Sequence, residues 1–532
     1  MQGKDGWIEG RCGTHCAELF GGCRGIESLM YRGLLHRKKA LIGAATAAVA
    51  TVGLLTKSNG TEGNGKAFVN RIHLLRRNTR TIITASKILN NYWWAARRGS
   101  NEWNRLHQYA ADNLLELFQK NGGIYIKFGQ HLASIDYLIP GEFCETMKKL
   151  FQEAAISPIS HVDAVIEREL GRKKEEIFVE FCEVPIGAAS LAQVHEAVLR
   201  DTGERVAVKV QHLKLREFAQ NDIRISAFLF GKIRYFFPGF EFDWLRREMQ
   251  LSIPREMDFI QEAENSVKMQ AFVEGDAELR NRVKIPKVYP ELSTSCLLVM
   301  QMAKGIGVTD VEAMKRHGIA PNALCKLISQ LFCKMIFDFR LLHCDPHPGN
   351  MLIEPGDGNG EEWKLVLLDH GLYREIPKSL VEEYATLWKS LLFFNENSLK
   401  QVCKALGISS ENYRTLSSIL SQSTWSFLSS RNILIHKQQR NIQEFQRKSI
   451  QNFASIMQVL SCVPRELLLI FKTNDILRSL ERKITGSYVQ KHYLRATLSH
   501  SLAYLWHQHL GLWQRFVLAF QIGIFRLGCL LL

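Results

Sequence analysis

A short run, "LLHCDPHPGNML", which begins at Leu341 and ends at Leu352, permits few backbone conformations. Two prolines, Pro346 and Pro348, exclude a regular helix and a central strand here, because proline has a fixed φ and no amide hydrogen to donate. The run therefore predicts a stiff loop that follows the apolar segment "MIFDFRLL". It places one carboxylate, one amide and two imidazoles within eight positions: His343, Asp345, His347 and Asn350.

Two other short motifs complete a pattern whose order along the chain matters. "RVAVKV" places Lys209 at the end of an alternating apolar strand, and "VLLDHG" places Asp369 after a buried strand and before Gly371. Phosphoryl transfer from a nucleotide needs a lysine for the phosphates, an acid beside the acceptor, and an amide with a second acid for metal ions. Kinases carry these groups as VAIK, HRDxxxxN and DFG, and this chain has VAVK, HCDxxxxN and DHG in the same order.

This order assigns roles to the polar residues of the three motifs. Lys209 is predicted to hold the phosphates of ATP, Asp345 to accept the proton, and Asn350 and Asp369 to bind Mg²⁺. Taken alone, each is more simply a strand-end charge, a turn former or a cap, but the ordered set favours a phosphoryl-transfer site. The two histidines of the loop are interpreted as structural residues that fix the backbone, with proton transfer or phosphate contact as the alternatives.

Two departures from the protein-kinase pattern are visible. The stretch before the lysine, "PIGAASLAQVHEA", has alanines where glycines usually let backbone N–H groups close around phosphates, so nucleotide geometry should differ. Its residues predicted to contact the nucleotide are Gly187, Ala188, Ala189 and Ser190. After Gly371 the chain passes quickly into a helical pattern, which predicts that the activation segment used for peptide docking is missing.

Charge is distributed unevenly along the 532 residues, which are enough for two or more folded units. The chain has 68 Lys+Arg against 53 Asp+Glu. Residues 57–110 carry ten basic and two acidic residues, and residues 482–532 carry six basic residues and no acid. Basic ends beside apolar runs favour an anionic membrane surface over nucleic acid as a partner. The 12 cysteines have no CxxC spacing, which favours free thiols in a reducing compartment.

Two terminal segments bear on membrane attachment. "ALIGAATAAVATVGLL", Ala40 to Leu55, follows three basic residues and is uncharged, so we expect a single short membrane span, with a soluble Ala-rich helix as the alternative. Four acids make residues 1–36 a poor match to a mitochondrial presequence. The last 32 residues are rich in Leu, Phe and Trp but contain Arg515 and Arg526, which favours a helix lying on a membrane or packed on the core.

Periodicity predicts an α+β protein that is mainly helical, with a β-rich lobe followed by a helical lobe. Asn121-Gly122-Gly123 is expected to interrupt the helical pattern that runs from Ala67 to about Leu150. The predicted units are a targeting segment (1–39), a transmembrane helix (40–56), a linker (57–66), a helical extension (67–176), an N-lobe (177–305), a C-lobe (306–481) and a basic, apolar tail (482–532).

Six motifs resemble those of the UbiB/ABC1/aarF-domain-containing atypical kinases: "KFGQHLAS", "AASLAQVHEA", "VAVKVQH", "EMDFIQEAEN", "HCDPHPGNML" and "LLDHGLY". The resemblance covers about Asn121 to Leu480. "NYWW", "NGGIYIKFGQ" and "VPRELLLIFKTNDILRSLE" look most like the mitochondrial branch of that family. It implies a two-lobed, kinase-like fold with an N-terminal helical extension whose KxGQ motif folds over the active site.

The resemblance also implies roles for residues outside the three kinase motifs. The KxGQ motif matches Lys127 and Gln130, which would approach the nucleotide, although by local sequence Lys127 is an ordinary surface lysine. Glu262 is predicted to pair with Lys209, and Glu256 to pair with the KxGQ lysine. Gln301 and Ala303 lie where the adenine-binding hinge is expected. The family's first alanine of the loop is replaced here by glycine.

Three functions are compatible with these motifs. The first, which the resemblance favours, is an atypical kinase or ATPase that binds Mg²⁺ and ATP/ADP and acts on a lipid or other small molecule in mitochondrial lipid or coenzyme Q homeostasis. The second is a protein serine/threonine kinase, disfavoured by the missing activation segment. The third is a nucleotide-binding pseudokinase scaffold, disfavoured by the complete set of kinase residues. The expected location is the mitochondrial inner membrane, with no nucleic-acid partner and with protein partners unassigned.

Overall fold

A computed structural model describes most of the chain beyond its N-terminal segment. The described residues are 64–98, 102–133, 140–151, 156–213, 215–236, 243–356, 362–429, 456, 459–460, 462–487, 491–507 and 512–531. The predicted membrane span at 40–56 and the targeting segment at 1–39 lie outside these residues.

Four helices and a short 3-10 turn form the N-terminal extension. They are α1 (Asn64–Arg98), α2 (Trp103–Asn121), α3 (Ile124–Ala133), α4 (Gly141–Met147) and the turn Lys148–Phe151. Helix α2 ends where the sequence predicts, because Gly122 (φ 64°) and Gly123 (φ 56°) adopt left-handed conformations that side chains with a Cβ disfavour. The last three residues of the segment expected to be a linker already belong to α1.

The β-rich lobe is an antiparallel sheet of five strands in the order β1-β3-β4-β6, with β2 paired to β3. Its elements in chain order are α5 (Ile159–Leu170), α6 (Lys174–Ile177), β1 (Phe178–Phe181), β2 (Gly187–Ala188), β3 (Ala192–Leu199), β4 (Arg205–Gln211), α7 (Leu215–Phe236), α8 (Asp243–Glu256), α9 (Phe259–Gly275), β5 (Val283–Lys284) and β6 (Leu297–Gln301). Alternating valines of β4, Val206, Val208 and Val210, are buried in one apolar cluster. The register therefore turns Lys209 to the opposite face of the sheet.

The following region is mainly helical and contains two small sheets, β5-β10-β9-β7 and β11-β8. Its elements are β7 (Ile306–Gly307), α10 (Val311–Arg316), α11 (Pro321–Phe337), β8 (Leu341–His343), β9 (Met351–Glu354), β10 (Lys364–Leu367), β11 (Tyr373–Glu375), α12 (Lys378–Leu392), α13 (Glu396–Ala405), α14 (Tyr413–Ser421), α15 (Trp425–Ser429), α16 (Arg465–Thr485), α17 (Lys491–His507) and α18 (Leu512–Leu531). Helix α11 lies in the core, and α17 packs against both α11 and α12.

The C-terminal tail divides between the core and the surface. Helix α17 is packed on the core, and helix α16 crosses position 481/482, where the sequence analysis places the start of the tail. In α18, Leu518 is buried, whereas Phe516 and Phe520 are exposed. Within the described part of the chain, no helix combines the length and the apolar character needed to cross a membrane.

Gly129 of the KxGQ motif lies where α3 packs tightly on its neighbours. A Cβ at this position would overlap Leu150 Cδ1 and lie 2.9 Å from Phe118 Cδ2. We expect Gly129→Ala to lower the free energy of unfolding by about 1–3 kcal/mol, the usual range for overpacking a core. Urea unfolding measures this loss. Gly141→Ala is the matched control, because a Cβ there meets nothing within 4 Å; equal stability of the two variants would contradict the packing argument.

Candidate active site

An ion pair joins strand β4 to helix α9 at the centre of the site. Asp258 caps α9 by accepting a hydrogen bond from the Ile260 amide, which places Glu262 on the first turn. The Lys209 Nζ donates to both carboxylate oxygens of Glu262, at 2.7 and 2.8 Å. Burial alone would lower the pKa of Lys209, but Glu262 and Asp369 outweigh burial and raise it. The structure thus brings the predicted phosphate-binding lysine and its predicted glutamate partner together as a charged pair.

The proline loop is held rigid by its own histidines. His343 is fully buried at the end of β8, and its Nδ1 accepts the Asp345 amide at 3.1 Å. The His347 Nδ1 accepts the Gly349 amide at 3.2 Å. Burial lowers the pKa of both imidazoles, so both are neutral at neutral pH. This geometry gives both rings the backbone-fixing role favoured by the sequence.

The amide of the loop is fixed through its nitrogen. The Asn350 Nδ2 donates to the Asp345 carbonyl at 3.1 Å across the 3-10 turn Pro348–Asn350. Asparagine binds metal ions through its amide oxygen, and the hydrogen bond that fixes this side chain uses the amide nitrogen instead. The carboxylate of Asp345 and the amide of Asn350 are positioned by one rigid stretch of backbone.

The DHG turn supplies the second acid. Asp369 follows β10, and its Oδ1 accepts the Gly371 amide at 2.8 Å. Burial alone would raise the pKa of Asp369, but Lys209, this hydrogen bond and Lys127 hold it far below its usual range. The carboxylate is therefore ionised at any physiological pH, as a ligand for a hard cation must be.

His370, in the middle of this turn, is structural. Its Nε2 donates to the Leu367 carbonyl at 3.2 Å, so its Nδ1 accepts from the Tyr373 hydroxyl at 3.0 Å. The Asn265 amide of α9 donates to the His370 carbonyl at 3.0 Å. Burial, with His343 nearby, lowers the pKa of His370 to about 3. A neutral, fully bonded imidazole thus occupies the place of the phenylalanine in DFG, and the backbone carbonyl of His370 ties the turn to α9.

The helical extension reaches the site through a second ion pair. The Lys127 Nζ lies 2.7 Å from Glu256 Oε2, and the side chains are 18% and 8% exposed. Burial alone would raise the pKa of Glu256, but Lys127 and His131 lower it to about 2. Lys127 is also close enough to Asp345 and Asp369 for their charges to help raise its pKa. The charge of the KxGQ lysine is therefore coupled to the acids of the HCDxxxxN and DHG motifs.

The other KxGQ residue has a local partner. The Gln130 Nε2 donates to the Leu150 carbonyl at 3.2 Å, which joins α3 to the 3-10 turn after α4. This contact lies within the extension, so a role for Gln130 in nucleotide binding stays a prediction.

The alanine-rich loop is anchored at its base by a histidine that the sequence analysis did not single out. The His212 Nε2 donates to the Ala189 carbonyl at 3.1 Å, and its Nδ1 therefore accepts from the Ser157 hydroxyl at 2.8 Å. Gly187 and Ala188 form β2 against β3, and Ser190 is buried. In the sequence, His212 is the last residue of "VAVKVQH" and directly follows strand β4. This position, at the end of a strand close to the loop, was the signal that could have identified His212 as a support for the loop.

The predicted hinge residues lie at the edge of the five-stranded sheet. Gln301 is the last residue of β6 and pairs with Val206 of β4. Its amide donates to the Lys287 carbonyl at 2.7 Å, and its side chain is exposed. Ala303 follows after one residue and is half-buried. Both therefore lie at the end of the strand next to the one that carries Lys209.

A second residue missed by the sequence analysis is Lys472 on α16. Its Nζ lies 3.8 Å from Asp345 Oδ1, and its side chain is 17% exposed. Burial would raise the pKa of Asp345, but Lys472 and then Lys127 lower it. The separation of 127 positions between Lys472 and Asp345 hid this contact. The feature that could have identified Lys472 is its place in "LLLIFKTND", a stretch whose other residues are mostly buried.

The side chains present fit a magnesium–nucleotide complex better than a metal site built by protein alone. Among the described residues, no group of three or more His, Cys, Asp or Glu side chains is placed to hold a metal ion. Asp369 and Asn350 offer one carboxylate and one amide oxygen. Mg²⁺ takes one or two such ligands and completes an octahedron with phosphate oxygens and water. The metal would neutralise charge on the phosphates, which is its contribution to phosphoryl transfer.

An antiparallel sheet with a Lys–Glu pair, followed by an Asp–Asn loop and a DHG turn in a mainly helical region, defines a protein-kinase-like fold. The profile of the "ABC1 atypical kinase-like domain" matches residues 149–403. The chain belongs to the ABC1, or AarF-domain, family of atypical kinase-like proteins. Both the family and the α+β, kinase-like fold predicted from the sequence are thus confirmed.

Curated relatives support this assignment over most of the chain. AarF domain-containing protein kinase 1 of Xenopus laevis is 37% identical over 412 residues, which cover 76% of this chain and 78% of that protein. AarF domain-containing kinase 1 of Drosophila melanogaster is 37% identical, with coverage of 71% and 72%. The ABC1 family protein MCP2 homolog of Schizosaccharomyces pombe is 37% identical, with coverage of 73% and 70%.

Proposed function

We propose that this protein binds MgATP and transfers the γ-phosphoryl group to a small molecule or lipid, or to water. The observation that carries the proposal is the Lys209–Glu262 pair, set close to Asp369 in a site that also contains Asp345 and Asn350. Lys209, Asp345 and Asp369 are each shifted towards the ionised form by a neighbour of opposite charge or a backbone amide. A scaffold that only bound a nucleotide would not need the complete set.

The chemistry follows from what each side chain is able to do. Lys209, oriented by Glu262, would hold the α- and β-phosphates. Asp369 and the amide oxygen of Asn350 would hold Mg²⁺. Asp345 would accept the proton of the attacking hydroxyl, since it is ionised and set on a stiff loop. Catalysis in such a site comes mainly from positioning and charge stabilisation, which rigid, preorganised groups supply.

A small acceptor fits this site better than a peptide. Residues 372–377 are all that separate Gly371 from the start of α12 at Lys378, and Tyr373–Glu375 of this stretch form β11. Protein kinases carry their regulatory loop between these elements. The family resemblance implies that the KxGQ helix covers the site, and the Lys127–Glu256 pair would hold it there. A protein substrate would have to displace this cover, whereas a polar head group would not.

Gly187→Ala tests the alanine-rich loop as a nucleotide contact. The glycine is exposed, and a Cβ there meets nothing within 4 Å, so the substitution should leave stability unchanged. Alanine restricts the backbone that faces the phosphates, so we expect the Kd for MgATP to shift by about threefold or more. Calorimetric titration measures the shift, and Gly275→Ala, with equally open surroundings, is the control. An unchanged Kd in a folded Gly187→Ala protein would remove this loop from the site.

We further propose attachment to the mitochondrial inner membrane and a role in membrane lipid or coenzyme Q homeostasis, on the strength of the family resemblance. The apolar run at 40–55, the basic residues that follow it and the acid-free tail support membrane contact. We expect the full chain to stay with membranes after carbonate extraction of mitochondria, and a chain lacking residues 1–60 to be released. Recovery of the full chain in the soluble fraction would contradict the proposal.

The activity itself is tested by ATP turnover of the purified protein. The assay is run with and without vesicles that contain anionic lipid, because an acceptor or activator at the membrane would be supplied in this way. We expect turnover that needs Mg²⁺ and is lost in Asp345→Asn. Turnover that is equal in Asp345→Asn and the unmodified protein would show that another enzyme in the preparation is responsible.

A further inference from the structure

The loop around Asp345 supplies no permanent cation of its own. Between Asp345 and Asn350 it contains Pro346, His347, Pro348 and Gly349. The His347 Nδ1 accepts the Gly349 amide and therefore carries no proton, so the ring is neutral. A transferring phosphoryl group spreads negative charge over its oxygens and needs cationic partners near the acceptor side. In this chain those partners must come from outside the loop.

Lys472 is placed to be such a partner. On helix α16, Lys472 lies between Phe471 and Thr473, which are both buried. The lysine side chain points inward, and its aliphatic part is largely covered. The Nζ–Oδ1 distance of 3.8 Å to Asp345 is an electrostatic contact but is too long for a hydrogen bond. The ammonium group therefore attracts the carboxylate without committing a donor to it.

We propose that Lys472 is a catalytic residue of this site, which contacts the oxygens of the phosphoryl group as it passes from ATP to the acceptor. This inference rests on the proposed phosphoryl transfer. An acceptor hydroxyl beside Asp345 and a γ-phosphate in line with it would both lie within a few ångströms of the lysine ammonium. Lys127, which belongs to the N-terminal extension, is engaged with Glu256, so the two lysines have different tasks.

No bond to Lys472 forms or breaks in this step. The acceptor oxygen forms a bond to phosphorus, the bond to the β,γ-bridging oxygen breaks, and the proton of the acceptor goes to Asp345. ADP leaves with the bridging oxygen. Lys472 supplies positive charge to the oxygens of the phosphoryl group during the transfer, and in the free enzyme it lowers the pKa of Asp345.

The test compares Lys472→Met, Lys472→Arg and the control Lys326→Met. Lys326 is an exposed lysine inside helix α11, so its replacement matches the change in charge and helix context. Three quantities are measured: kcat for ATP turnover, the Kd for MgATP, and the pH dependence of kcat/KM. We expect kcat of Lys472→Met to fall on the order of a hundredfold, the scale of losing one charge-stabilising group. The Kd should change by no more than about threefold, since the lost contact belongs to the transition state.

The pH profile separates a catalytic lysine from a merely structural one. Without Lys472 the pKa of Asp345 rises, so the acidic limb of kcat/KM should move to higher pH, and Lys472→Arg should restore it. A kcat within about twofold of the unmodified protein in Lys472→Met overturns the inference. So does an equal loss of kcat and of MgATP affinity with no movement of the acidic limb. If the unmodified protein shows no turnover, the proposed function fails, and the inference falls with it.

Discussion

Asp369→Asn should abolish most of the stabilisation that MgATP gives to this protein. A ligand stabilises the state that binds it, by about 2.7 kcal/mol at a concentration one hundred times Kd. Asparagine keeps the size of the side chain but removes the anionic ligand for Mg²⁺. It also leaves Lys209 without one of the two charges that raise its pKa. Thermal unfolding with and without MgATP measures the effect, and turnover should fall on the order of a hundredfold or more.

Asp201→Asn is the matched control for this prediction. Asp201 is exposed in the turn between β3 and β4 and lies outside the site, so MgATP should stabilise this variant as it does the unmodified protein. Stabilisation of Asp369→Asn by MgATP to the same extent would mean that the DHG carboxylate is not a metal ligand. That outcome would leave the fold assignment intact and remove the assignment of this site.

Lys127→Ala should destabilise the protein and open its site. Glu256 is only 8% exposed and would be left buried without its lysine, and breaking a buried pair in this way costs about 3 kcal/mol or more. Because the same lysine ties the KxGQ helix over the acids, we also expect altered basal turnover or autophosphorylation. Urea unfolding and turnover are measured together. Lys149→Ala, an exposed lysine of the same extension, should change neither.

The pH dependence of this destabilisation has a definite sign. In the unmodified protein Glu256 has a pKa of about 2 against an ordinary value of 4.5, so its stabilising effect is complete above pH 4.5 and is lost as pH falls towards 2. In Lys127→Ala, burial without the lysine raises the pKa of Glu256, and protonation at mildly acidic pH removes the buried charge. The stability difference between the two proteins should therefore narrow as pH falls from 7 to 4. A stability difference that stays constant with pH would mean that lost packing, and not the buried charge of Glu256, destabilises Lys127→Ala. A double variant with Lys127→Met and Glu256→Gln should recover part of the stability.

The sequence predicted the parts of the site that depend on local pattern. Prolines 346 and 348 forced a loop, valines at alternate positions set the face of Lys209, and two adjacent glycines ended a helix after Asn121. Each of these follows from backbone geometry within a few residues. The pairing of Lys127 with Glu256 came from family resemblance instead, because nothing near Lys127 distinguishes it from a surface lysine.

What the sequence left undetermined depends on contacts between distant segments. Lys472 reaches Asp345 only because α16 packs beside the proline loop, and no local pattern encodes that packing. The hydrogen bond from His212 to the Ala189 carbonyl likewise joins two separate segments, and no local pattern encodes it. For the C-terminal tail the sequence left a helix on a membrane and a helix packed on the core as alternatives, and the packing of α17 on α11 and α12 became visible only in the structure. The next helix, α18, is partly exposed.

The fate of the γ-phosphate distinguishes a phosphoryl-transfer enzyme from a protein that only binds the nucleotide. The purified full chain is incubated with γ-labelled ATP, Mg²⁺ and a mitochondrial lipid extract in vesicles, and the label is then partitioned among lipid, small molecules, inorganic phosphate and protein. We expect label in a lipid or small-molecule product, or its release as inorganic phosphate, at a rate that falls on the order of a hundredfold in Asp345→Asn. If the unmodified protein binds MgATP but transfers and releases the label no faster than Asp345→Asn, the proposed phosphoryl transfer is contradicted. The chain would then be a nucleotide-binding scaffold.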